Sequence, residues 1–239
     1  MIVKKIKQFI KVLLGKIPIK LINYISNIVF ISFFYKQMSQ IKKFKTGKSG
    51  INNQDANSVI WDFIIEKIGK NEAIDFIEFG SYEGRSVNYF AKKFINTEST
   101  FVGFDSFEGL PNTDFHLKYK KGMFNNSGNI PVINDSRIKF VKGYFSEIKN
   151  DIKDEISKSK NLKLIHFDAD IYSSTLLALF LCADQENYFC IFDEFGDDEA
   201  RALYHYLQAN NSSVEFIAAS FDDDFYLSPK VVFAKIWKN

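Results

Sequence analysis

Four carboxylates stand in two short clusters: Asp168 and Asp170 close the apolar run that begins at Leu162, and Asp193 and Glu194 close the run that begins at Tyr188. If both runs are parallel strands of one sheet, all four acids open on the same edge. Like charges gathered in one crevice repel one another unless a cation sits among them. Oxygen ligands without Cys suit a hard divalent ion such as Mg²⁺ or Mn²⁺. Helix capping by Asp170 or Ser173 explains one or two of these residues but not all four.

A second group is Glu78-Phe79-Gly80-Ser81-Tyr82-Glu83-Gly84, placed between a strand-like and a helix-like segment. Glycine there lets the backbone turn tightly and approach a ligand, with helix N-terminal amides facing it. A carboxylate at the strand end, Glu78, can hold an ammonium such as that of a methionine moiety. The spacing is not G-x-G-x-x-G, which disfavours the pyrophosphate of a dinucleotide. Asp105 ends the next strand, 21 residues beyond Gly84, where an acid can accept hydrogen bonds from both hydroxyls of an adenosine ribose. His166 shares a strand face with Asp168, so it either orients a substrate or is a satisfied core histidine. Arg201 can meet an acidic substrate or form a surface ion pair; His116 and His205 receive no role.

The elements that must position these residues alternate. Helices are expected at about 58–69, 84–94, 146–158, 173–183 and 197–209. Strands are expected at Ile74 to Phe79, Thr100 to Asp105, Ile138 to Val141, Leu162 to Asp168, Tyr188 to Asp193, Val214 to Ala219 and Val231 to Trp237. Repeated β-then-α units predict an α/β fold, a doubly wound, mainly parallel seven-stranded sheet with helices on both faces. The last two strands have only residues 220–230 between them, too few for a crossover helix, so they are expected to pair antiparallel. The polar loop from Pro111 to Asn134 is the natural substrate lid.

Charge divides the chain unevenly. Residues 1–54 hold eleven lysines and no acid, whereas residues 55–239 carry a net charge of −9. An acidic body is poorly suited to a phosphate backbone, which argues against nucleic acid as a partner. Lysine alternates with apolar residues over 2–46, predicting one or two amphipathic helices broken near Gly15 and Pro18, followed by a linker over 45–57. The expected division is a basic extension over 1–54 and a main domain over 55–239. The extension reads equally as a cap on the domain, as a homo-oligomer arm, or as a membrane-surface contact through residues 1–46. Its longest uncharged run, Leu21 to Tyr35, is short for a bilayer span, and no signal-peptide cleavage site follows. Cys182 and Cys190 lie in apolar surroundings and are expected to be reduced, which places the chain in the cytoplasm, with a peripheral position on the inner membrane face as the alternative.

The glycine motif, the block Phe104-Asp105-Ser106-Phe107-Glu108-Gly109-Leu110-Pro111 and the block Asp168-Ala169-Asp170-Ile171-Tyr172-Ser173-Ser174-Thr175 together resemble the macrocin O-methyltransferase family, over roughly Phe76 to Tyr206. The resemblance implies a Rossmann-like class I methyltransferase fold, S-adenosylmethionine as cofactor, and metal-dependent methylation of a hydroxyl on a sugar or other small molecule. It also implies that Asp168 is a metal ligand, that Asp170 is the general base, and that Asp193 and Glu194 complete the metal site. The expected cofactor-binding residues are Glu78, Gly80, Ser81, Gly84, Asp105, Ser106, Phe107, Gly143, Tyr144 and Asp168; the expected catalytic residues are Asp170 and His166. Two features depart from the family: its usual Asp-Asp pair is Asp193-Glu194 here, and Asp184 to Asn187 lacks the usual Gly-Gly turn. A nucleotide-binding oxidoreductase and a noncatalytic S-adenosylmethionine-binding scaffold are the alternative readings.

Overall fold

A computed structural model of the chain describes Gly15 and residues 17–46, 57–112, 118–222 and 229–239, with the backbone alone at 19–24, 26, 27 and 197. The helices are α1 (Ile19–Met38), α2 (Ser58–Ile68), α3 (Arg85–Lys93), α4 (Lys149–Ser157), α5 (Tyr172–Leu181) and α6 (Ala200–Asn210). The strands are β1 (Lys42–Lys45), β2 (Ile74–Phe79), β3 (Thr100–Asp105), β4 (Ile138–Lys142), β5 (Leu162–Phe167), β6 (Asn187–Phe192), β7 (Ser212–Phe221) and β8 (Pro229–Lys238). They form one sheet in the order β1-β7-β8-β6-β5-β2-β3-β4, in which only β8 runs antiparallel to its neighbours. The doubly wound α/β expectation holds, and β7 and β8 do pair antiparallel.

The count of seven strands does not hold, because β1 adds an eighth along β7. Lys-Lys-Phe-Lys carries almost no strand signal of its own. Its pairing partner supplies the order, and Phe44 anchors it by packing on Phe63 at 5.2 Å between ring centroids. The predicted start of the last helix is also corrected: Phe195–Glu199 form a π-helical turn before α6 begins.

Period-two alternation divides the core between the faces of the sheet. Ile77, Phe79, Phe104, Phe167 and Phe192 face α1, α4, α5 and α6, while Phe76, Phe101, Leu164 and Ile191 face α2 and α3. Phe79, Phe167 and Phe192 stack across β2, β5 and β6 with centroids 5.7 and 5.1 Å apart. Such cross-strand aromatic contacts pin the register of the three strands whose ends carry the acids and the glycine turn.

Strand order reverses between β2 and β5, which run parallel: β3 and β4 extend one way from β2, and β6 extends the other way from β5. In an open sheet of this kind the crevice beyond the strand C-termini at that reversal is where ligands bind. On the α6 side, α1 lays Phe34 and Met38 into the core, with Phe34 against Phe195 and Phe216.

Candidate functional site

A cavity of about 580 Å³ opens at this reversal. Its β2–β3 wall begins with Gly80, whose φ of +95° is open to glycine at little cost. A Cβ at this position would overlap the Asp168 carbonyl oxygen, so the residue type is fixed by the close approach of two loops. Asp105 lines the same wall. Its carboxylate accepts the Tyr82 N–H at 2.8 Å and the Phe107 N–H at 2.6 Å, which holds it facing the cavity. Burial pushes its carboxyl upward against those backbone hydrogen bonds. Gly143 donates its N–H to the Asp105 carbonyl at 2.9 Å and, with Tyr144 and Ser106, completes this side.

The opposite wall is acidic: Asp168, Asp170, Asp193 and Glu194 all line it. None caps α5, whose N-cap is Ile171 and makes no side-chain cap; the Asp198 carboxylate takes the Tyr172 N–H instead, at 3.1 Å. Asp168 is pushed well above the ordinary carboxylate range by burial and by the charge of Asp193. Asp170 is pushed up to about 8 by burial, then by Glu194 and Asp193. It sits at φ +59°, a left-handed conformation that costs a non-glycine residue free energy and recurs at functional turns. Tyr82 and Phe124, at φ +44° and +59°, also line the cavity.

Five expected residues lie outside the cavity lining: Glu78, Ser81, Gly84, Phe107 and His166. Glu78 and His166 are paired in register one position before the strand ends, two residues or about 6.6 Å below Gly80 and Asp168 at the rim. They share the face of the site residues but lie beneath its floor, both fully buried. His166 Nδ1 meets Glu78 Oε1 at 2.7 Å, Ser86 donates to the same oxygen, and His166 Nε2 lies 3.7 Å from Asp193 Oδ1. Burial alone would lower the imidazole pKa, but the neighbouring Asp193 and Glu78 carboxylates outweigh it and raise it to about 10. His166 thus lies beneath the cavity with Nδ1 on Glu78 and with Nε2 buried without a hydrogen-bond partner. Only one Glu78 oxygen is engaged: Oε1 meets His166 and Ser86, while Oε2 is buried without a hydrogen-bond partner. Phe107 is buried against Phe140 at 6.1 Å, so Tyr82, Phe124, Tyr144 and Phe145 are the cavity aromatics instead. Arg201 pairs with Asp198 at 3.0 Å and covers the Tyr172 ring at 4.1 Å. His116 lies outside the described residues.

Several neighbours escaped sequence reasoning. Asn57 donates to Asp193 Oδ1 at 3.2 Å. Glu199, 1% exposed and raised well above the usual range by burial and Asp193, accepts the Glu194 N–H at 3.0 Å from within the π-helical turn. Lys118 reaches Glu194 at 2.9 Å, and the Tyr119 hydroxyl donates to the same oxygen, bringing the loop that was expected as a lid onto the acidic wall. The lone glutamates and lysines in polar stretches gave no periodic signal that would single them out.

The donor chemistry of the acidic wall fits a hard cation: half-buried carboxylate oxygens, with Asp168 and Asp170 raised by burial and by their acidic neighbours. Among the described residues, ligand-type atoms drawn within 4.8 Å of one another belong to Glu78, His166 and Asp168. That trio includes the Glu78–His166 contact and leaves Glu78 Oε2 and His166 Nε2 without hydrogen-bond partners. Asp168, Asp193 and Glu194 are instead held apart, with Glu194 turned to Lys118 and Tyr119.

No protein-family model matches the chain, and no curated protein sequence matches it. Among solved structures it is similar to the O-methyltransferase NovP, with 18% identity over 76% of this chain and 78% of that one, TM-score 0.48. It is also similar to CalS11, a TDP-rhamnose 3'-O-methyltransferase of calicheamicin biosynthesis, with 16% identity over 76% and 80%, TM-score 0.49. A third is the SAH-bound Podospora anserina methyltransferase PaMTH1, with 14% identity over 88% of each chain, TM-score 0.44. These are distant likenesses.

Proposed function

We propose that the chain is an S-adenosylmethionine-dependent O-methyltransferase acting on a hydroxyl of a sugar or other small molecule. The observation that carries this reading is the cavity at the sheet reversal, with Gly80, pressed on the Asp168 backbone, and the cavity-facing carboxylate of Asp105 side by side on one wall. Two backbone N–H groups orient that carboxylate and leave it lone pairs for both ribose hydroxyls. Gly80 gives the cofactor backbone contact, and Tyr82, Tyr144 and Phe145 supply apolar and aromatic surface for its adenosine.

In the proposed reaction a methyl group passes from the cofactor sulfonium to the acceptor oxygen, the C–S bond breaks to leave a thioether, and Asp170 takes the acceptor proton. A carboxylate raised to about 8 is well matched to that task near neutral pH. Its left-handed backbone aims it from the turn after β5. Asp168, Asp193 and Glu194 would hold a divalent cation, whose chemistry there is to polarise the acceptor oxygen. A second reading, methyl transfer without metal, is favoured by one contact: Lys118 already places a positive charge on Glu194.

Titration calorimetry with S-adenosylhomocysteine and NAD tests the cofactor. The expected outcome is binding of the first, no binding of the second, and an affinity reduced at least about tenfold in Asp105→Ala by the lost charge-assisted hydrogen bonds. NAD binding, or unchanged affinity in the variant, defeats the reading.

A further inference from the structure

Helix α1 is apolar on two opposite sides, and the fold uses only one. Phe30, Phe34 and Met38 turn toward the domain: Phe34 is fully buried and Met38 5% exposed, and Phe30 lies 5.3 Å from Tyr204. The other side carries Ile25, Ile28 and Val29, exposed by 45%, 45% and 57%, at the i, i+3, i+4 spacing of one helical stripe, with Phe33, 49% exposed, at its edge against Tyr204 at 4.7 Å. With Tyr35 they make five of the thirteen exposed large apolar side chains among the described residues, so exposure of this kind is concentrated on one element. An apolar stripe fixed outward on a rigidly packed helix marks an interaction surface.

Charge decides which occupant it fits. The stripe lies within a segment of eleven lysines and no acid, attached to a body of net charge −9. Lys36 and Lys42 are exposed on α1 and on the strand that follows it. A second copy of the chain would bring a second set of these lysines to a shared α1 interface, with no acid in the segment to offset them. An anionic bilayer matches both features of the segment: negative headgroups suit its net positive charge, and acyl chains suit the stripe. No helix among the described residues is long and apolar enough to cross a membrane, so the contact is interfacial.

We infer that the outward face of α1 docks the protein onto an anionic membrane surface, independently of the chemistry assigned to the cavity. The inner face of the helix acts as the cap and the outer face as the anchor. The chain would then present its cavity beside a bilayer.

The test is co-sedimentation of the full chain with vesicles of phosphatidylglycerol and phosphatidylcholine in equal parts, against vesicles of phosphatidylcholine alone. Ile25→Glu with Val29→Glu changes two exposed positions and leaves the buried face intact, which an unchanged melting temperature would confirm. The expected result is binding to the anionic vesicles alone, reduced about tenfold or more by the double substitution. It should also fall in 1 M salt, where the Debye length shrinks to about 3 Å. Absence of anionic binding, equal binding to both vesicles, or equal binding by the variant overturns the inference. So does a solution dimer that the variant dissociates, which would assign the face to a second copy. Binding of S-adenosylhomocysteine, measured on the same variant, reports on the cavity separately.

Discussion

Strands β2 and β5 pair along their whole length, with Asp75 buried near one end and the half-buried Asp168 just beyond the other. At the lower end Asp75, 2% exposed, faces Lys163 across the pair. Burial acts to raise its carboxyl pKa, but hydrogen bonds from Lys163, Ser159 and Thr100 and the charge of Lys163 win, and it falls below the ordinary range. At the upper end, Asp168 has burial and Asp193 pushing the same way, only His166 opposing, and it rises well above that range. One residue type in one strand pair is thus saturated with partners at one edge and short of them at the other. The lower edge is stabilised by its polar groups. The upper edge holds carboxylates that repel one another, with Lys118 on Glu194 and His166 beside Asp168 as partial counter-charges, the electrostatic character of a working site.

The widest separation between the two edges is expected in activity. Chelator should suppress methyl transfer while leaving cofactor binding intact, with Mg²⁺ or Mn²⁺ restoring it, and Asp168→Asn should behave like chelation. Asp170→Asn should slow transfer by about 10²- to 10⁴-fold, the usual contribution of a general base. Single-turnover assays with a hydroxyl acceptor check all three, and Asp75 variants that remain folded should not reproduce them. Full activity in excess chelator would favour Lys118 as the resident counter-charge of the acidic wall.

Stability should show the reverse. Lys163→Met strands Asp75 as a buried, uncompensated charge and should cost about 3–5 kcal/mol, at about 2–4 °C of melting temperature per kcal/mol in a chain of this size. Asp168→Asn, measured in chelator at pH 8, should leave the melting temperature unchanged or raise it, since it removes a repelled carboxylate. Equal losses in both variants would erase the distinction between the edges.

How much of this contrast sequence alone discloses follows from where each signal resides. Apolar runs ending in acids are local, so β2 and β3 were located to the residue, and convergence of Asp105, Asp168, Asp170, Asp193 and Glu194 followed from the parallel arrangement. Depth is not local. His166 and Asp168 share a face, and only the height of the cavity floor separates a buried imidazole from a lining carboxylate. Strand β1 and the π-helical turn with Glu199 are products of tertiary pairing and packing, which lysine-rich and acidic stretches do not announce. Asp75 and Lys163 passed unnoticed because a buried ion pair split between two strands leaves no motif.

The smallest expected effect concerns pH, and its sign follows from Asp170. Its carboxyl is raised from about 3.8 in the unfolded chain to about 8 in the folded one. The folded state therefore binds a proton that the unfolded state has released across the window between those values. Folding is favoured by this group below pH 4, and that contribution declines as pH climbs through 8. Asp170→Asn cannot ionise and escapes the decline. In chelator, wild type and variant should melt together near pH 4 and diverge with the variant higher by pH 9, by about 1–3 kcal/mol. Neighbouring acids share the proton, which spreads the divergence over several pH units. A divalent cation should narrow the gap by stabilising the ionised wild type, because the asparagine loses a charge facing the ion. Parallel melting curves from pH 4 to 9 would mean that the upper edge is as well compensated as the lower one, and Lys118 would then be the first residue to replace.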